Sequence, residues 1–176
     1  MPTILSHAAL PLAIGLALGS RVIPRRLLAA GVVGAMLPDL DVIGFKFGIP
    51  YASQFGHRGF SHSLVFALCL ALAAATMSRH LRTTARGAFT FLFISVASHD
   101  LLDCLTNGGR GVALLWPFSP ERFFAPVQPI RVSPIGLSRF VSGNGSAVLA
   151  SELVWVWLPC MVAGLLLYAV RQRARR

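Results

Sequence analysis

A chain of 176 residues has room for one domain, and this one is 55% hydrophobic and only 12% charged, with a mean hydropathy of +0.69. An ordinary soluble globule carries about a quarter charged residues, so the balance excludes that class and points to a membrane protein. The net charge of +10 rests on 16 basic residues against 6 acidic ones, and every basic residue except Lys46 is arginine. These arginines gather at the ends of apolar runs, where they orient a membrane protein and meet anionic headgroups. Membrane lipid is therefore the expected partner, and nucleic acid is disfavoured. Cys69, Cys104 and Cys160 form no CxxC pair, which excludes a thiolate zinc site and a disulfide framework.

In chain order, the first apolar stretch covers residues 8–18 and is followed, not preceded, by Arg21, Arg25 and Arg26. A signal peptide has its basic residues before the apolar run, so a retained membrane helix starting outside is expected. Five helices are expected in all, over roughly 3–19, 26–37, 61–78, 86–104 and 147–170. Only the last has the ~20 apolar residues of an ordinary span, because a polar cluster interrupts each of the others. The expected fold class is an all-α polytopic membrane helix bundle forming a single domain. Residues 106–146, rich in Pro, Gly and Ser, make a connection long enough for a lid or binding segment. Their apolar pieces at 112–116 and 123–127 argue that they fold over the outer face.

Arginines fix the expected orientation. Arg21, Arg25 and Arg26, then Arg79, Arg82 and Arg86, then Arg171, Arg173, Arg175 and Arg176 would be cytoplasmic, with the N-terminus out and the C-terminus in. Lys46, Arg58, Arg110, Arg122, Arg131 and Arg139 fall on the other side.

Four histidines and four aspartates lie at the ends of these apolar runs: His7; Asp39 with Asp41; His57 with His62; His99 with Asp100 and Asp103. Ionisable groups beside membrane-length apolar sequence are expensive unless paired, wetted or metal-bound. Imidazole with carboxylate is a ligand set for zinc and related ions. From Arg21 to His7, Arg26 to Asp39, Arg79 to His62 and Arg86 to His99 the separations are 14, 13, 17 and 13 residues, or roughly 20–25 Å at helical rise. Helices alternating in direction bring all four clusters to one depth, beneath the outer surface. His99 and Asp103, four residues apart, point from one helix face. Asp100 faces elsewhere and suits an orienting role. Ser61 suits an N-cap of the third helix. Glu152 begins the fifth helix, where a carboxylate complements the dipole.

Taken singly, each cluster has a plainer reading: a capping histidine at His7, a turn at Asp39 and Asp41, a helix-internal ion pair at His99 and Asp103. Coincidence at one depth is what favours a single metal site.

His7, the turn Pro38-Asp39-Leu40-Asp41, the block Gly56-His57-Arg58-Gly59-Phe60-Ser61-His62-Ser63, the helix His99-Asp100-Leu101-Leu102-Asp103 and Trp116-Pro117-Phe118-Ser119 resemble the YdjM-like family. These are bacterial inner-membrane proteins described as membrane-bound metal-dependent hydrolases. The ligand pattern is similar to that of the all-helical zinc-dependent phospholipase C and single-strand nuclease superfamily. The resemblance implies metal ligands among His7, Asp39 or Asp41, His57 or His62, His99 and Asp103. No histidine follows His99, so the superfamily's second motif, HxxxE, has no counterpart. One or two divalent ions, zinc foremost, are expected in place of three.

The expected chemistry is attack of an activated water on an ester or phosphoester, with Asp41 or Asp100 as general base and Arg58 among the arginines able to hold a phosphate. At this depth the expected substrate is a lipid-linked phosphate or ester. The alternatives are a metal-binding membrane protein or transporter without hydrolysis, and a membrane-tethered nuclease. Apolar inner halves of the first four helices disfavour a transport path. Oligomeric state is not readable from the sequence.

Overall fold

The computed structural model describes residues 1–174, so Arg175 and Arg176 of the expected basic tail lie outside the described residues. Among those described there is no β-strand, only two isolated bridges, and the architecture is all-helical. A short 3-10 turn, Ile4–Ala8, leads into α1 (Ala9–Leu18). α2 (Arg25–Met36) follows Pro24 and continues as a 3-10 helix, Leu37–Phe47, until Gly48 closes it in the left-handed conformation. A second 3-10 turn, Phe60–His62, precedes α3 (Leu64–Thr76), and α4 runs from Ala85 to Cys104. α5 (Leu137–Ser142) and α6 (Gly145–Glu152) are short; a π turn, Leu153–Trp157, joins α6 to α7 (Leu158–Arg173).

Among the described residues, three continuous helical stretches are long and apolar enough to cross a membrane: Arg25–Phe47, Ala85–Cys104 and Gly145–Arg173. Two shorter apolar helices, Ile4–Leu18 and Leu64–Thr76, complete the bundle. Arg25–Phe47 outruns the helix expected to stop near residue 37. Pro38 stands at the junction, where its missing N–H leaves the helical ladder one donor short, and the chain tightens into 3-10 geometry and keeps going. The last stretch starts at Gly145, with a π turn just ahead of Pro159 absorbing the proline.

α4 is the centre of the bundle. Ala88, Phe91 and Leu92 pack with Leu27 of α2 and with Ala71 and Ala74 of α3. The α2–α4 approach depends on Gly31, where a Cβ would stand 2.3 Å from the Phe91 ring. α7 instead keeps most of its apolar side chains outward, among them Leu165, Leu166 and Val170. An apolar surface of that extent belongs in lipid.

Two side-chain caps set the entries of the middle helices. Ser63 Oγ accepts from the Phe66 N–H at 3.1 Å, and Thr84 Oγ1 from the Gly87 N–H at 3.1 Å. The N-cap of α3 is thus Ser63 and not Ser61, whose hydroxyl donates to Asp41 at 2.8 Å. The long connection after α4 is ordered against the helix ends. Val112 and Ile130 are fully buried, the Leu64 N–H donates to Leu114 O, and the Ala113 N–H to Arg58 O.

Candidate metal centre

All seven histidines and aspartates singled out as ligands come together, and an eighth residue, Asp100, is buried beside them. α4 supplies His99 and Asp103 from one face, the 3-10 extension of α2 supplies Asp39, the turn before α3 supplies His62, and the turn before α1 supplies His7. One ligand atom from each of Asp39, His62, His99 and Asp103 lies within 4.8 Å of the others. His62 Nε2 stands 3.6 Å from Asp39 Oδ1 and 3.5 Å from Asp103 Oδ2; His99 Nε2 is 3.7 Å from Asp39 Oδ1. His7 Nε2 is 3.6 Å from Asp39 Oδ2 and 3.9 Å from Asp103 Oδ1, its ring stacked on His99 with centroids 3.6 Å apart.

These distances exceed hydrogen-bond length. Two donors bound at ~2.1 Å to one tetrahedral ion, however, stand roughly 3.4 Å apart. Among the described residues Asp39 has no hydrogen-bond partner on either carboxylate oxygen, nor do His7, His62 and His99 on Nε2, while Asp103 has the ion pair of its Oδ2 with Arg58. Orphaned buried acceptors are costly, and here they converge on one point. The donor set fits a divalent ion of the zinc class.

The groups behind the donors fix which atom faces inward. His99 Nδ1 lies 2.7 Å from the Ala35 carbonyl in the last turn of α2, where orphan acceptors occur. A carbonyl only accepts, so Nδ1 carries the proton and Nε2 presents its lone pair. Asp41 does the same for two rings. Its Oδ1 is 2.6 Å from His57 Nδ1; its Oδ2 is 3.2 Å from His62 Nδ1, 2.8 Å from Ser61 Oγ and 3.2 Å from the Arg58 N–H. Asp41, His57 and His62 form a second grouping that shares His62 with the first. His57 meets Tyr51 edge-on at 5.1 Å. Burial raises the Tyr51 phenol above its ordinary range, so the group beside His57 is neutral.

Arg58 is wholly enclosed. Its Nε pairs with Asp103 Oδ2 at 3.0 Å, while its terminal nitrogens donate to Gly108 O at 2.9 Å and Thr106 Oγ1 at 2.7 Å. The guanidinium therefore anchors a ligand candidate to the segment after α4 and does not face a substrate phosphate. Its backbone is left-handed, φ 63°. Gly59 next to it could carry no side chain, because a Cβ would fall 2.1 Å from Gln54 O. That crowding explains the glycine of the His-Arg-Gly block. Arg122 donates to the carbonyls of His57, Arg58 and Ser53 and so clamps the same block.

Two acidic residues stand apart. Asp100 is buried with both oxygens unpartnered but belongs to neither ligand grouping. Glu152 does not open a helix; it is the last residue of α6, buried, accepting from the Thr3 N–H at 2.5 Å, Thr3 Oγ1 at 2.6 Å and Ser6 Oγ at 2.7 Å. Trp157 Nε1 donates to the same Ser6 Oγ at 3.1 Å. The final span thereby pins the turn that carries His7. The only signal for this in the sequence is an acid inside the final apolar run.

Comparison with known proteins places this arrangement. The family model described as "YdjM inner membrane protein" matches residues 1–175. The chain belongs to the YdjM family. It is 55% identical to the inner membrane protein YbcI of Escherichia coli over 163 residues, covering 92% of this chain and 94% of that one. It is 38% identical over 101 residues to the uncharacterized protein YvsG of Bacillus subtilis, covering 53% of this chain and 59% of the relative. To the inner membrane protein YdjM of Escherichia coli it is 31% identical over 143 residues, 74% of this chain and 65% of that protein. No solved structure matches. The YdjM relatives are named for the inner membrane, in keeping with the apolar helices of this chain.

Proposed function

We propose that this YdjM-family protein is a membrane-bound metal-dependent hydrolase acting on an ester or phosphoester, with a lipid-linked substrate the class that suits its setting. The observation that carries the reading is the convergence of orphaned donor atoms from Asp39, His62, His99 and Asp103, with His7 beside them. A divalent ion of the zinc class bound there would polarise the electrophile and lower the pKa of a water toward neutrality.

The chain's own residues divide the remaining work. Asp41 holds His57 by its Nδ1, which leaves Nε2 to take and return a proton. The same carboxylate sets the His62 ring, so one residue couples proton transfer to ligand orientation. Arg58 keeps Asp103 in place and is a positioning residue. Asp41 is the least buried of the seven candidates, at 5% exposure against 0–1% for the rest, so the substrate approaches from the Asp41–His57 side. By the positive-inside rule the basic ends of the helices lie in the cytoplasm, which puts this centre toward the outer face.

A second reading, a structural metal centre without hydrolysis, draws support from the near-complete enclosure of the donors. One experiment separates them. Purified wild type and His99→Ala are analysed for metal, then assayed on phospholipid esters and phosphoesters before and after chelation. The hydrolase reading requires stoichiometric metal in wild type, its loss in the variant, and a metal-dependent release of product. Metal without turnover on any lipid ester or phosphoester leaves the structural reading; absence of metal removes both.

A further inference from the structure

Away from the metal centre, a groove of about 500 Å³ runs between α1 and α7, lined by small residues of α1 (Ala9, Ala13, Ala17), by Gly164, and by Trp157 and Tyr168. At the end farther from His7 it runs into a second hollow of about 160 Å³, which shares Leu16, Ala17 and Tyr168 and adds Ser20, Arg21, Arg171 and Gln172. The first hollow is apolar and the second is basic. We propose that the two together bind one anionic phospholipid, its acyl chain along α1 and its phosphate between Arg21 and Arg171.

From Ala9 to Ala17 the groove follows eight residues, ~12 Å at helical rise, long enough to seat part of an extended acyl chain. Its width is set by the closest approach of the two helices, where a Cβ on Gly164 would meet the Ala13 carbonyl at 3.3 Å. Charge selects the headgroup. Arg171 is held toward the hollow because its guanidinium donates to Ala17 O, at the end of α1, at 3.3 Å. That bond uses one of five N–H donors and leaves the others for phosphate oxygens. Arg21 is exposed on the opposite wall. Basic pockets between membrane helices are recognised sites for anionic headgroups. The site lies at the opposite end of α1 from His7, so it does not depend on the metal centre or on hydrolysis.

The test uses the full chain carrying Trp116→Phe and Trp155→Phe, so that Trp157 in the groove is the sole fluorophore. It is reconstituted in vesicles of phosphatidylcholine with a minor fraction of phosphatidylglycerol, with bromines on the acyl chains of one lipid or the other. Brominated phosphatidylglycerol is expected to quench Trp157 with an apparent preference over phosphatidylcholine of roughly five-fold per arginine, so about twenty-five-fold in all. Arg21→Gln with Arg171→Gln should bring the preference to about one. Arg21→Gln alone should reduce it partway, and it loses no hydrogen bond within the chain should the double variant fold poorly. Ala13→Phe should lower quenching by both lipids by filling the groove. Equal quenching by the two lipids in wild type, or a preference that survives the double substitution, overturns the proposal.

Discussion

Replacing Asp41 by asparagine tests whether the centre is built from orienting contacts as well as ligands. The carboxylate serves four donors: His57 Nδ1 on one oxygen, and the Arg58 N–H, Ser61 Oγ and His62 Nδ1 on the other. Asparagine keeps the shape but offers one acceptor oxygen and one NH2. If the oxygen stays with His57, the amide N–H groups face the Arg58 and His62 donors; if it flips, His57 loses its partner. Either way one imidazole loses its tautomer lock. Removing such an outer contact weakens metal binding by about 10–100-fold, or ~1.4–2.7 kcal/mol. The assay is a competitive titration against a chromophoric chelator on detergent-solubilised protein, with helical content followed by circular dichroism. Asp41→Asn should bind metal at full stoichiometry but more weakly, whereas His62→Ala should fail to reach stoichiometry. An Asp41→Asn affinity within about twofold of wild type, beside a dead His62→Ala, would refute the orienting role.

Asp103→Ala is expected to lose stoichiometric metal, measured by elemental analysis, because it removes a candidate ligand and frees Arg58 Nε at once. Arg58→Ala leaves Asp103, Gly108 O and Thr106 without their buried partner and should cost about 3–5 kcal/mol, read as a lowered midpoint in thermal unfolding. Glu152→Gln swaps an acceptor-only group for one that must donate among three donors; a loss of about 1–3 kcal/mol is expected, with a weaker hold on His7 visible as reduced metal affinity. Gly31→Leu should destabilise by about 1–3 kcal/mol through overpacking against Phe91, yet leave metal stoichiometry unchanged in the folded fraction.

Periodicity and the count from arginine to histidine carried far because a membrane helix is a ruler. Equal helical separations from one surface set equal depths, so His7, Asp39, His62 and His99 meet without any knowledge of the packing. Direction is harder to read than depth. Arg58 sits in a motif next to a ligand candidate and suggests a phosphate contact, but its left-handed backbone turns the guanidinium inward onto Asp103. Asp41, two residues after Asp39 in a 3-10 helix, lies on another face, meets His57 and Ser61, and reaches the convergent donors only through the Nδ1 side of His62. Glu152 was illegible for another reason, since its partners Thr3 and Ser6 lie some 146–149 residues away. Local pattern fixes which elements form; the partner of a buried polar group is decided by which elements touch.

The fold offers a physical reason why these polar residues are tolerable at membrane depth. Charged groups in hydrocarbon need partners, and free helix ends need them as well. Here the two are combined. α1 and α3 are too short to span, and their site-side ends, with the 3-10 turns that carry His7 and His62, stop at the level of the cluster. The Ala35 carbonyl at the end of α2 is satisfied by His99, and the Cys104 carbonyl at the end of α4 accepts from the Ala125 N–H of the long connection. Arg58 bridges the Asp103 carboxylate to that connection. A longer α1 or α3 would bury more apolar surface and displace the histidines from the meeting point. The final span, with its outward apolar face, is tied through Glu152 to the turn that precedes the short first helix.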